Sequence, residues 1–384
     1  MSSTATTLLI GTTKGLFLLK DDGDGWSVSG PHCHGWPINH AAADPARGTI
    51  WACGGNEFFG SGVWRSADGG ESWELSKFSK GQMDDWLAAE PEMAATFGMI
   101  PGKEPIFSDE IHALWSLERG PDALYAGAKP AQLFRSFDDG ANWEKVQGLT
   151  DHPSAEGWSP GGAGLTLHSI VTAPDDPKKV WVGISAAGVF ATEDGGATWE
   201  RRNRIGNAGE ACGHDHPAAG EDGQVGFCVH NIGRAAGATG DRLYQQNHHG
   251  VFRSVDGGRS WDDITAGLPS TFGFPIGIHP SDPDTIWTMP LNGDTQGRFP
   301  PEAKAAIWKS TDGGQSWAAK RQGLPQDGCY FTVLRQAMAV GEGEPAGVFF
   351  GTNSGSIFAS RDEGESWDEI ARHLPTVLSV EVMQ

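Results

Sequence analysis

The chain is poor in the features that mark several large functional classes. Lys and Arg number 28 against 49 Asp and Glu, a formal charge of −21. A surface so lopsided repels phosphate backbones and anionic lipid, so neither nucleic acid nor a membrane is an expected partner. Cysteine is scarce. Cys33, Cys53, Cys212, Cys228 and Cys329 are scattered and odd in number, which argues against a disulfide framework. No run is long and apolar enough to read as a membrane span, and the opening MSSTATTLLIGTT lacks the basic region and apolar core of a secretion signal. The expected location is the cytoplasm. Tyrosine occurs only as Tyr125, Tyr244 and Tyr330. Amphipathic helical pattern is scarce outside one insertion.

What is present is a turn-rich chain with 55 Gly, 23 Pro and 16 Trp, and a phrase that keeps returning. Ser66–Trp73 (SADGGESW) recurs as SFDDGANW, TEDGGATW, SVDGGRSW, STDGGQSW and SRDEGESW, ending at Trp143, Trp199, Trp261, Trp317 and Trp367. A worn copy, DDGDGW, ends at Trp26. Each follows an apolar run, as in Gly188-Val189-Phe190-Ala191. This is hairpin chemistry: the Asp carboxylate accepts from turn N–H groups, glycine supplies positive φ, and Trp closes the apolar side. The phrase resembles the Asp-box of the BNR repeat family, found in sialidases and other propellers. The resemblance covers nearly the whole chain and speaks to fold more than to activity.

Successive box tryptophans lie 50 to 70 positions apart, which suits four short strands and variable loops, one propeller blade per box. The expected fold is all-β, a single seven-bladed propeller of four-stranded antiparallel blades. Blade 1 would combine residues 6–30 with 376–384, where TVLSVEVM supplies the strand that the N-terminal trio lacks and closes the ring. Blades 2 to 7 fall at about 38–79, 112–150, 168–204, 230–268, 274–323 and 331–372, with insertions at 80–110, 151–167, 203–229 and 291–305. Those insertions leave one face of the disc, opposite the Asp-box turns, so they crowd one mouth of the central channel.

Counting back from the boxes exposes a histidine register. His112, His168 and His230 each stand 31 residues before a box Trp, and His40 stands 33 before Trp73. Each begins the innermost strand expected for its blade, so four imidazoles would point at the axis. That arrangement suits Fe, Zn, Cu, Ni or Mn, the favoured reading, with a hydrogen-bonded lining of the channel as its alternative. It is similar in arrangement alone to the carotenoid cleavage oxygenases, whose motifs are absent. Asp109 and Glu110, beside His112, are the expected general base or the partner of a ligand imidazole. Lys129, Gln246, His248 and Arg335 would ring the same mouth and contact substrate.

A sialidase, as the resemblance would imply, needs an arginine trio, a Tyr/Glu nucleophile pair and an Asp acid. The early Phe-Arg-Ile-Pro motif is missing, and no Arg precedes Arg47. The leading expectation is a metal-dependent enzyme with its ion on the axis and a small-molecule substrate. The alternatives are an Asp-box glycoside hydrolase using carboxylates such as Asp109, Glu110 and Asp294, and a non-catalytic propeller that binds or assembles partners.

Overall fold

A computed structural model describes residues 6–23, 25–96, 104–107, 111–207, 223–237 and 240–384. Seven four-stranded antiparallel sheets form a ring. The innermost strands, in order around the ring, are Val377–Met383, Ile38–Asp44, Ala113–Arg119, Leu167–Ala173, Val229–Arg234, Gly273–Ile278 and Met338–Val340. Each touches the next, and the last touches the first. The C-terminal strand Val377–Met383 pairs antiparallel with Thr7–Thr12 and completes blade 1, so every blade has four strands and the ring closes.

The boxes fold as their chemistry requires. In blade 2 the Ser66 hydroxyl donates to Asp68 Oδ1 (2.7 Å) and accepts from the Gly70 N–H (2.8 Å). Asp68 also accepts from the Ser72 N–H (2.9 Å), and the Trp73 indole N–H donates to the Gly70 carbonyl (3.1 Å). The turn runs through φ of +73° and +100° at Gly69 and Gly70, which a Cβ would resist. Asp139 and Glu363 hold the first of these positions in two other boxes, at φ of +59° and +57°. In the worn copy the Gly23 N–H donates to Asp21 Oδ1 (3.0 Å) and the Asp22 N–H to the Gly25 carbonyl (3.2 Å).

Apolar side chains gather between neighbouring blades rather than at one centre. One layer joins Trp51, Val63 and Phe78 of blade 2 to Leu114, Phe134 and Trp143 of blade 3. Tryptophans in the second strands tie each layer to the next box. The Trp51 indole donates to the Asp139 carbonyl (2.8 Å), Trp181 to Gly257 (2.8 Å) and Trp287 to Glu363 (3.0 Å). In the alternate blades an arginine does this work: Arg135 donates to the Gly195 carbonyl (2.6 Å) and Arg253 to Gly313 (3.0 Å). Tyr125 and Tyr244 are buried in those blades, and the Tyr244 hydroxyl donates to the Pro283 carbonyl (2.8 Å).

Hydrogen bonds also cross the axis. Gln336 of blade 7 donates to the His168 carbonyl of blade 4. Asn231 of blade 5 donates to the Arg335 carbonyl (2.7 Å) and accepts from Ser169 (3.2 Å). They separate two cavities whose linings share no residue. Among the described residues no helix is long and apolar enough to cross a membrane, and no disulfide joins Cys33, Cys53, Cys228 and Cys329 to one another.

Candidate metal centre at the looped mouth

Each site residue is placed by how the innermost strand begins. In blades 2 to 5 that strand carries one extra residue relative to its neighbour, a β-bulge that turns a side chain out of the pleat. The extra residues are Asn39, Trp115, His168 and His230. Only His168 and His230 therefore occupy equivalent positions. His40 stands one residue past the bulge, and His112 precedes its strand altogether. The four imidazoles do not converge on one point.

His40 is fully engaged within the protein. Its Nδ1 accepts the Leu117 N–H (2.9 Å), so the proton sits on Nε2, which donates to Glu381 (2.8 Å). Neither nitrogen is left for an ion, which corrects the expectation of a ligand there. His112 is exposed in a separate cleft of about 530 Å³ that also holds Lys129, Trp115 and Phe58. Two of the expected residues, His112 and Lys129, are thus neighbours, but at the edge of the mouth. Asp109 and Glu110 lie outside the described residues.

His168 is buried, with Nδ1 3.2 Å from the Ser169 hydroxyl and no hydrogen-bond partner at Nε2. Burial, then the nearby Arg335 charge, holds it neutral. It faces the second cavity, of about 330 Å³, with His40, Glu118, Arg234 and Glu381. Burial pushes the Glu118 carboxyl up to about 7, against the hydrogen bond that it accepts from Thr172 (3.1 Å).

His230 is the member of the register that gains neighbours. Its Nδ1 lies 2.6 Å from the Gly273 carbonyl, which can only accept, so Nδ1 carries the proton and Nε2 presents a lone pair. Burial and Arg335 keep the ring neutral. Nε2 is 3.6 Å from Cys228 Sγ. The turn between the second and third strands of the blade folds back, with the His248 N–H on the Cys228 carbonyl (2.9 Å), and brings the His248 ring against His230. Ligand atoms of Cys228, His230 and His248 all lie within 4.8 Å of one another. Among the described residues this is the only cluster of three or more His, Cys, Asp or Glu so disposed. A carbonyl-tethered imidazole is the usual orientation of a metal-ligating histidine. Sequence reasoning missed Cys228. The available signal was Cys228-Val229-His230, an i, i+2 spacing that puts both side chains on one side of an extended chain.

Phe272, Phe274, Arg298, Arg335 and Ser185, with Gly162 and Ala163, complete the lining of this cavity, of about 100 Å³. Arg335, expected to meet substrate, lies with its guanidinium 4.8 Å from the Phe274 ring centre. Gln246, expected to do the same, is turned into the blade. It donates to the carbonyls of Asn247, Gly250 and Thr271 and accepts from Thr288 (3.1 Å), so its polar atoms are consumed by packing.

No protein-family model matches the chain. A xyloglucanase of Hypocrea jecorina (strain QM6a) is 19% identical over 288 residues, 74% of this chain and 30% of that protein. The chain thus spans under a third of the length of that curated relative. The GH74 xyloglucanase structure from Xanthomonas campestris superposes with a TM-score of 0.62 at 16% identity, covering 96% of this chain and 52% of that one. A structure of YCF48 bound to D1 peptide does so at 0.51 and 11% identity, covering 96% and 85%. The chain is a seven-bladed β-propeller, similar in fold to the GH74 xyloglucanase and YCF48 propellers.

Proposed function

We propose that the protein is a metal-dependent enzyme acting on a small molecule at the looped mouth, its ion held by Cys228, His230 and His248 rather than by four axial histidines. The observation that carries this reading is the approach of three ligand atoms to within 4.8 Å in a walled cavity. Three protein ligands leave a position open, the pattern of catalytic rather than structural sites. One thiolate and two imidazoles suit Zn, Cu, Fe or Ni better than Mn. Such an ion supplies Lewis acidity to a group bound beside it. The chain's own part is to keep His230 neutral and aimed, and to narrow access with Phe272 and Phe274.

Elemental analysis tests it. The purified protein, reconstituted with each metal in turn, should hold about one ion per chain. His248→Ala and Cys228→Ser should lose it, while His40→Ala and His112→Ala should keep it. A wild-type chain that stays metal-free after reconstitution would sink the proposal.

A second reading has its own support. The cleft beside His112 combines Trp115 and Phe58 with Asn39, Gln82 and Lys129, a mixture of ring faces and polar groups suited to a sugar. Two of the relatives are xyloglucanases. Turnover of a glycoside panel with chelator present would favour glycoside hydrolysis over metal chemistry.

A further inference from the structure

From the two arginines at the metal centre we infer that the substrate carries an oxyanion, a carboxylate or phosphate group, received between Arg335 and Arg298. This deepens the metal reading and rests on it for where the reacting end of the substrate lies. The anion contact itself stands on the arginines.

Several arginines of this acidic chain meet carboxylates. Arg202 pairs with Glu193 (3.0 Å) and Glu200 (2.9 Å), Arg135 with Glu144 (2.6 Å) and Arg47 with Asp139 (2.6 Å). Arg335 departs from that habit. Its side chain is half-buried, its Nε is buried with no hydrogen-bond partner, and no Asp or Glu lines its cavity among the described residues. A second guanidinium faces the same rings: Arg298 lies 5.9 Å from the Phe272 centre and 5.8 Å from that of Phe274. Burial, and to a smaller extent Arg298, lowers the pKa of Arg335 to about 10, which still leaves it charged near neutral pH. Cys228 is the one group that offsets them.

Two guanidiniums beside a cation would repel both it and each other. An anion relieves all three repulsions. Guanidinium forks match the paired oxygens of carboxylate and phosphate, and the ring faces of Phe272 and Phe274 offer cover to the adjoining carbon. A cavity of about 100 Å³ has room for roughly three waters, so it takes an anionic head and leaves the rest of the molecule outside.

Calorimetric titration of the full chain with inorganic phosphate, and separately with acetate, tests this in metal-loaded and chelator-treated protein. Wild type should bind at least one of them saturably. Arg335→Gln should weaken that binding by at least about tenfold without changing metal stoichiometry. Arg298→Gln, at the exposed rim and tolerant of change, should weaken it too, and Arg335→Lys should restore part of it. No saturable binding of either anion in either metal state overturns the inference. So does wild-type affinity in both glutamine variants. Arginine-dependent binding in a chain that takes up no metal would support the anion site while ending the metal reading.

Discussion

His40 shows how far one residue of register moves a side chain. Counted from its box it belongs with His168 and His230, yet it sits one place past the bulge and serves as a strut between the Leu117 N–H and Glu381. The count failed because it runs back across two interstrand turns whose lengths differ among blades, and because a bulge leaves no mark in composition. His168 and His230 share both the count and the place on the bulge, whereas His112, at the same count of 31, falls just before its strand. His40→Ala should leave metal content unchanged but cost about 1–3 kcal/mol, because it strands a buried N–H and an acceptor. Chemical denaturation measures the stability and elemental analysis the metal. Cys228 went unread for a related reason: its meaning depends on His248, which reaches it only through a folded turn.

At the scale of the element the sequence was far more transparent. An Asp-box is local: its Ser or Thr hydroxyl and Asp carboxylate bond within eight residues, so the phrase alone specifies the turn, although the Trp261 and Trp317 indoles donate beyond it to the Arg202 and Ile264 carbonyls. What the phrase does not reveal is how boxes grip their neighbours through Trp51, Trp181 and Trp287. Trp181→Phe should keep the packing and lose the bond to the Gly257 carbonyl, lowering stability by about 1–3 kcal/mol in denaturant titration. The box carboxylates also make a prediction about acid. Hydrogen bonds from turn hydroxyls and N–H groups push Asp68, Asp194 and Asp312 down to about 2 from an ordinary 3.8, and lower Asp138 too. Such groups stabilise the fold above the unfolded value and lose that effect as pH falls through the folded one. Melting temperature should therefore fall between about pH 4 and pH 2, and less steeply when Asp194 is replaced by Asn.

For the whole molecule, seven-fold closure was legible because the N-terminal trio is one strand short and the C-terminus supplies an alternating strand with no box. That strand does more than fill a gap. Val377 and Val380 are fully buried, and Glu381 anchors His40. Removing residues 376–384 should forfeit about 3–6 kcal/mol from the two valines alone. The single cooperative melting transition should then broaden or vanish in calorimetry.

The bonds from Gln336 and Asn231 across the hub have a further consequence for traffic. They lie between two cavities whose linings share no residue, the arrangement of a cup rather than a pipe. If the proposed reaction runs on the Cys228 side, its product leaves by the doorway through which the substrate entered. Spent product should thus compete with fresh reactant, and a mutation on the Asp-box side should leave that rivalry untouched.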